Sequence, residues 1–179
     1  MACNKRLTRA CLFIAAFLLA LAPCAQGAPP LPLTEDDLLF RFGEEVYALG
    51  SPAAPLVEAV NRVSPPLDVQ EVDSCLFSGK DKEFVNEQLL IGTLPRGQGG
   101  QDLIETIMVL NGDHLTARGI GIGNLEQEVL KAYGEPFLKD YDLLIYHLGD
   151  GQDGPQLVFV LNLQDDSVLS YYYFLNTQG

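Results

Sequence analysis

The chain has 179 residues, 24 acids against 11 Lys and Arg, and a net charge of −13. Three of the cations precede residue 28 and none of the acids does, so the remainder sets eight cations against 24 acids, about −16. A body so acidic repels phosphate backbones and anionic lipid, which argues against nucleic acid or an acidic membrane as partner and favours a protein with a basic surface.

The first segment has three parts. Lys5, Arg6 and Arg9 make a cationic start, Ala10 to Ala22 is unbroken apolar sequence, and Pro23 leads into the small residues up to Ala28. That order describes a secretory signal peptide over residues 1–27, and the apolar run is shorter than the roughly 20 residues a membrane-spanning helix needs. Two cleavage chemistries fit. Ala25 and Gly27 supply small residues three and one before a cut after Gly27. Alternatively, Leu21-Ala-Pro-Cys24 resembles a lipoprotein box, with Pro23 where a small residue is usual, and Cys24 then becomes a lipid-anchored N-terminus. Either way the mature protein is expected outside the cytoplasm, secreted or held to the outside of the membrane. Cys3 and Cys11 leave with the signal, so Cys75 is the one free thiol and no intrachain disulfide is expected. Val69, Cys75 and Phe77 fall on one face of an expected strand, which predicts a buried cysteine acting as a small hydrophobe.

Residues 28–36 begin APPLPLT, a proline-spaced tether. Residues 37–179 then read as one domain. Leu38 to Phe42 and Glu45 to Leu49, joined around Gly43, predict a hairpin. A helix is expected over Ser51 to Arg62, capped by Ser51 with Pro52 at its first position, or starting at Pro55. Strands follow around Val72–Phe77, Lys82–Val85, Leu89–Leu94 and Leu103–Leu110, with a Gly-rich loop from Pro95 to Gln101. Gly121 to Gly123 then leads to Asn124 as N-cap with Gln127 as its partner. The stripe Leu125, Val129, Ala132, Tyr133 predicts a helix that Gly134 ends. Leu143–His147, Gln156–Leu163 and Val168–Leu175 are three further strands. A shift of 73 residues lays Gly123 on Gly50, Val129 on Leu56 and Ala132 on Ala59. The expectation is an α+β fold of low helix content, a tandem repeat of short helix plus antiparallel sheet over about 37–110 and 111–179.

The runs Asp73-Ser-Cys-Leu-Phe-Ser-Gly-Lys-Asp-Lys82 and Thr116-Ala-Arg-Gly-Ile-Gly-Ile-Gly-Asn124, with Val129 and Ala132-Tyr-Gly134, resemble a family of poorly characterised bacterial secreted proteins and lipoproteins. The resemblance covers most of residues 37–175. The second signature is also similar, more loosely, to the repeat of β-lactamase inhibitory proteins and of small outer-membrane assembly lipoproteins. It implies a helix-plus-sheet repeat used for protein–protein contact, and it implies no catalytic residues.

Local chemistry signals are sparse. Gly119 to Gly123 opening a helix has neither phosphate-loop nor dinucleotide spacing, which favours a structural turn. Asp150 to Gly154 and Asp165-Asp166 lack the acid order of a calcium loop and read as hairpin turns. His114 and His147 show no zinc spacing, and a Cys75–His dyad has no local signature. No cofactor is expected. Tyr171-Tyr-Tyr-Phe174 must alternate faces in a strand, one pair filling the core and the other, Tyr172 and Phe174, lying on the open sheet face as the expected contact surface. The sequence thus points to an extracytoplasmic, non-enzymatic protein-binding module, inhibitory or envelope-associated. The alternative is a small secreted hydrolase using carboxylates or Cys75.

Overall fold

The computed structural model describes residues 32–96, 100–149 and 154–176. The signal segment, Cys24 and its cleavage chemistry, residues 28–31 of the tether and the acidic turn from Asp150 to Asp153 lie outside the described residues.

A 3₁₀ turn, Glu35–Leu38, opens the domain. Asp37 folds back to accept the amide and hydroxyl of Thr34, both at 2.8 Å. Strands β1 (Leu39–Phe42) and β2 (Glu45–Ala48) then form a two-stranded hairpin around Gly43, whose φ of 63° suits a residue without Cβ. Helix α1 is Ala54–Val63, with Pro55 in its first turn, where the missing amide costs nothing. The Ser51 hydroxyl donates to the Ala48 carbonyl and does not cap the helix. Four strands follow: β3 (Asp68–Asp73), β4 (Lys80–Val85), β5 (Leu89–Leu94) and β6 (Leu103–Val109). Helix α2, Glu126–Tyr133, precedes four more: β7 (Leu138–Asp140), β8 (Leu143–His147), β9 (Gln156–Asn162) and β10 (Ser167–Phe174).

These eight strands make one antiparallel sheet in the order β3-β4-β5-β6-β10-β9-β8-β7. Two four-stranded meanders therefore meet at their last strands, β6 and β10, through the pairs Tyr171↔Val109 to Phe174↔Thr106. The segment before each helix bonds to the last strand of its own meander in the same way. Gly50 N–H donates to Ile104 O at 2.7 Å and Gly123 N–H to Val168 O at 2.8 Å. Ile104 N–H returns to Ser51 O, and Val168 N–H to Asn124 O. Ala53 N–H reaches Asp102 O, and Glu126 N–H reaches Asp166 O. The fold class is α+β, with helices of ten and eight residues against a predominantly antiparallel sheet.

The core lies on one face of this sheet. Leu56 and Val60 of α1, Val129 and Tyr133 of α2, and Phe40 and Tyr47 of the hairpin pack on Ile91, Ile107, Leu157, Phe159, Tyr171 and Tyr173. Each large apolar side chain withdrawn from water there stabilises the fold by about 1.5–3 kcal/mol. One ion pair ties the N-terminal turn to this layer. Arg118 Nη2 lies 2.6 Å from Asp37 Oδ2 and its Nε 2.7 Å from Oδ1, while Nη1 donates to Ala132 O and Nη2 to Pro32 O. Its guanidinium also stacks over Tyr133, 4.7 Å from the ring centre.

The structure corrects three local expectations. The first strand of the sheet is Asp68–Asp73, four residues earlier than the sequence suggests, and Cys75 sits exposed in the turn that follows it. The turn is closed by the Ser74 hydroxyl, which accepts the amides of Leu76 and Phe77, so Cys75 is in neither a strand nor the core. Leu125, not Asn124, is the N-cap of α2, and Glu128, not Gln127, accepts its amide at 2.8 Å. The third is an added strand: three strands are expected after α2 and the structure has four, the extra one being the three-residue edge strand β7, too short to carry a pattern of its own.

Candidate functional site

The face of the sheet turned away from the helices carries the candidate site. Pairing registers place one row of side chains across it: Asp68, Val85, Leu90, Met108, Tyr172, Val158, Ile145 and Leu138. Seven neighbours in that row are apolar or aromatic, one from each strand from β4 to β7. Tyr172 is half-buried between Met108 and Val158, and Val158 is fully buried between Tyr172 and Ile145. Burial raises the Tyr172 phenol above its ordinary value, so the ring presents a neutral hydroxyl at any physiological pH. None of these side chains belongs to the core cluster: Val85, Leu90, Met108, Tyr172 and Ile145 are half-buried, Leu138 is exposed and Val158 is fully buried.

A second row, one pleat along, runs Gln70, Glu83, Gly92, Thr106, Phe174, Gln156 and His147. Gly92 leaves a notch in it, and a groove of about 380 Å³ opens there, with Gln70, Asp81, Lys82, Glu83, Glu105 and Thr106 among its lining residues. Phe174 stands two strands from the notch, and Phe137 packs on His147 at the far end with ring centres 4.3 Å apart.

Charge is divided between the two faces by the pleat. Lys80 and Lys82 alternate to the helix side, where they meet Glu71 at 3.1 Å and Asp102 at 2.8 Å. Lys139 does the same and bonds Glu126 of α2 at 2.6 Å. Asp68, Asp81, Glu83 and Asp140 stay on the open face. Among the described residues, no strand position on that face is Lys or Arg. An apolar stripe rimmed by carboxylates is the result.

The chain matches no family model, no curated protein and no solved structure.

The remaining chemistry must be read from the residues themselves. Four of the five amides of the Gly119–Gly123 loop have partners, Gly119 N–H donating to Thr116 O. Ile120 N–H donates to the Thr116 hydroxyl, Gly121 N–H to the Asn124 side chain, and Gly123 N–H to Val168 O. Glu128 covers the start of α2 with a carboxylate, so the helix N-terminus faces an acid and not a site for an anion. Cys75, in the turn between β3 and β4, and His147, on β8, are separated by at least five strand intervals in the sheet, on the order of 24 Å at the usual strand spacing. His114 is packed between Phe40 and Phe42, its carbonyl accepting the Tyr171 hydroxyl at 3.0 Å. Burial lowers its imidazole, and nearby Asp113 only partly offsets this. Asp165 accepts the amide and hydroxyl of Ser167, and Asp166 adopts φ of 56°, both serving the β9–β10 turn. Among the described residues no three His, Cys, Asp or Glu side chains converge as metal ligands.

The alternation of Tyr171 to Phe174 is as the sequence requires. Tyr171 and Tyr173 are fully buried under the helices, and Tyr172 and Phe174 face outward, half-buried. Sequence reasoning missed Met108, Leu90, Val85 and Ile145 as their neighbours, because only the register of seven strands brings them into one row. It also missed the Asp37–Arg118 pair, whose members are 81 residues apart.

Proposed function

We propose that the protein is an exported, non-enzymatic binding module that docks another protein on the open face of its sheet. The observation that carries this is the apolar row from Val85 to Leu138, continuous across seven strands, outside the core cluster and partly open to solvent at every member but Val158. Contiguous, partly exposed apolar surface of that kind favours a contact site, and Tyr is a favoured anchor in such sites. Tyr172, at the centre of the row, is the proposed anchor, with Phe174 beside it. The carboxylate rim and the charge near −16 favour a partner with a basic surface, steered in by the long-range field.

The finer architecture belongs to the same proposal. The three matched backbone hydrogen bonds before α1 and α2 relate the halves by offsets of 73 residues at the helix and 64 at the last strand, since Gly50 and Ile104 correspond to Gly123 and Val168. They support a duplicated helix-plus-meander unit, the architecture implied by the resemblance to inhibitor-type repeats. In that reading the duplication doubles the sheet into one surface wide enough for a protein partner. Export and a Cys24 anchor or a cut after Gly27 complete the proposal, and mass spectrometry of the native protein's N-terminus tests them.

Binding is tested by capturing secreted and envelope proteins on the purified protein and repeating the capture with Tyr172→Ala and Met108→Asp. A specific partner lost with both variants, and retained with Val63→Asp on the exposed end of α1, is expected. A partner held equally by all variants refutes the assignment of the face.

A further inference from the structure

We infer that the outer edge of β3 is a second docking site, independent of the open face, which takes up an extended basic segment of another protein as an added antiparallel strand. β3 ends the sheet, and among the described residues no strand pairs with its outer side. The phase of its backbone fixes what that side offers. Ser74 N–H donates to Gly79 O at 3.0 Å, so this pair bonds across the hairpin, and alternation carries the same role to Val72, Gln70 and Asp68. The amides and carbonyls of Val69, Glu71 and Asp73 therefore point away from β4, a donor and an acceptor repeating about every 6.7 Å.

Proteins blunt sheet edges by shortness, lysine, proline or a bulge. The opposite edge follows that rule, since β7 is three residues long with Lys139 at its centre. β3 does not. It runs six residues, pairs with β4 without a register shift, and contains no Lys, Arg or Pro. All six residues are exposed, and Val69 and Val72 leave 52% and 64% of their surface in water, one on each face. A bare, unkinked backbone row flanked by exposed β-branched side chains is what an added strand needs. Main-chain hydrogen bonds supply the affinity, and side chains on alternate faces supply the specificity.

Charge decides the occupant. On the helix side Glu71 already meets Lys80 at 3.1 Å and Lys82 at 4.0 Å. On the open side Asp68 of β3, with Asp81 and Glu83 of β4, has no strand lysine or arginine on the same face. Basic side chains of the added strand therefore belong on the open side, and apolar ones on the helix side beside Val69. Opposed residues share a face, so the apolar residues oppose Val69, Glu71 and Asp73, and their amides are the ones that bond to β3. A second copy of this chain is a poor occupant. Its charge near −16 repels an identical body, and the antiparallel register centred on Glu71 sets that carboxylate opposite itself.

The test uses the isotopically labelled protein and a capped peptide of alternating Lys and Val, with its Glu-Val analogue and two N-methylated forms. Saturable amide shifts are expected at Val69, Glu71 and Asp73. Hydrogen exchange should slow at those three but not at Gln70 and Val72, whose amides already bond to β4. N-methylation of the valines, whose amides face β3, should abolish binding, and N-methylation of the lysines should not. The Glu-Val peptide should not bind. Val69→Pro removes an outward N–H that the β3–β4 ladder does not use, so the fold is kept, and the Lys-Val peptide should bind at least about fivefold more weakly. Shifts centred on Tyr172 and Met108, protection without the alternation, or equal binding by the Glu-Val or valine-methylated peptide overturn the inference. So does movement of the β3 signals with protein concentration in the absence of peptide, which would give the edge to a second copy. The open face is tested separately, by partner capture with Tyr172→Ala, so either reading fails alone.

Discussion

Replacing Arg118 with Leu should be among the most destabilising changes outside the apolar core. The Asp37 side chain is 5% exposed and that of Arg118 17%, so the pair is largely withdrawn from solvent. Loss of the guanidinium leaves a buried carboxylate with only the two Thr34 donors, and strands the Ala132 carbonyl at the end of α2. Removing one partner of a buried pair costs about 3–5 kcal/mol; the partial exposure of Arg118 places the expectation at the low end, about 3 kcal/mol. Asp37→Asn should cost less, about 1–2 kcal/mol, because the cation left behind is the more exposed member. The double variant should fall short of the sum by at least about 0.5 kcal/mol, as contacting residues do. Urea denaturation measures all three, and hydrogen exchange at the Asp37 amide, bonded to Thr34 O, reports whether the N-terminal turn loosens first. The pH dependence supplies a second check. Burial works to raise the Asp37 carboxyl, but the Arg118 and Thr34 hydrogen bonds outweigh it and hold it below the ordinary 3.8. The associated stability is complete above that value and is lost as pH falls through it towards the folded one, a slope that Asp37→Asn should remove. An Arg118→Leu cost under about 0.5 kcal/mol, or strict additivity in the cycle, would refute this reasoning.

Three further outcomes follow from the same structure. His114 is held neutral by its apolar surroundings, so its contribution is full above the unfolded value near 6.5 and declines as pH falls below it; His114→Phe should flatten that part of the stability–pH curve measured by urea titration. Cys75 should react with a thiol reagent in the native protein about as fast as in urea, because it is exposed in a turn; strong native protection would contradict its placement. Gly50→Ala and Gly123→Ala should each cost roughly 1–2 kcal/mol, since both hold φ near 75° to 87° at the corresponding step before a helix; a large effect at one and none at the other would count against equivalent halves.

The sequence made the hairpin legible through Gly43, α1 through Pro55 and α2 through its stripe and Gly134, because each signal is local. The alternation of Tyr171 to Phe174 was equally plain, since a strand leaves no choice. Asp68–Asp73 was not, because a strand exposed on both faces at the sheet edge has no reason to alternate, and its apolar neighbours Cys75 to Phe77 drew the expectation downstream. The candidate face was half legible. Tyr172 and Phe174 could be placed outward from β10 alone, but Val85, Leu90, Met108 and Ile145 join them only through cross-strand register. Likewise the notch needs Gly92 opposite both Glu83 and Thr106, a coincidence that no single segment encodes.

The contact face itself is tested most directly by hydrogen exchange on the purified protein with and without a captured partner. Bound partner should slow exchange across β5, β6, β10 and β9, around Leu90, Met108, Tyr172 and Val158. Tyr172→Ala should speed its dissociation about thirtyfold or more, a hot-spot loss of about 2 kcal/mol, with the salt dependence of association unchanged. Protection confined to the hairpin and the helices, with dissociation indifferent to Tyr172, would contradict the assignment of the open sheet face.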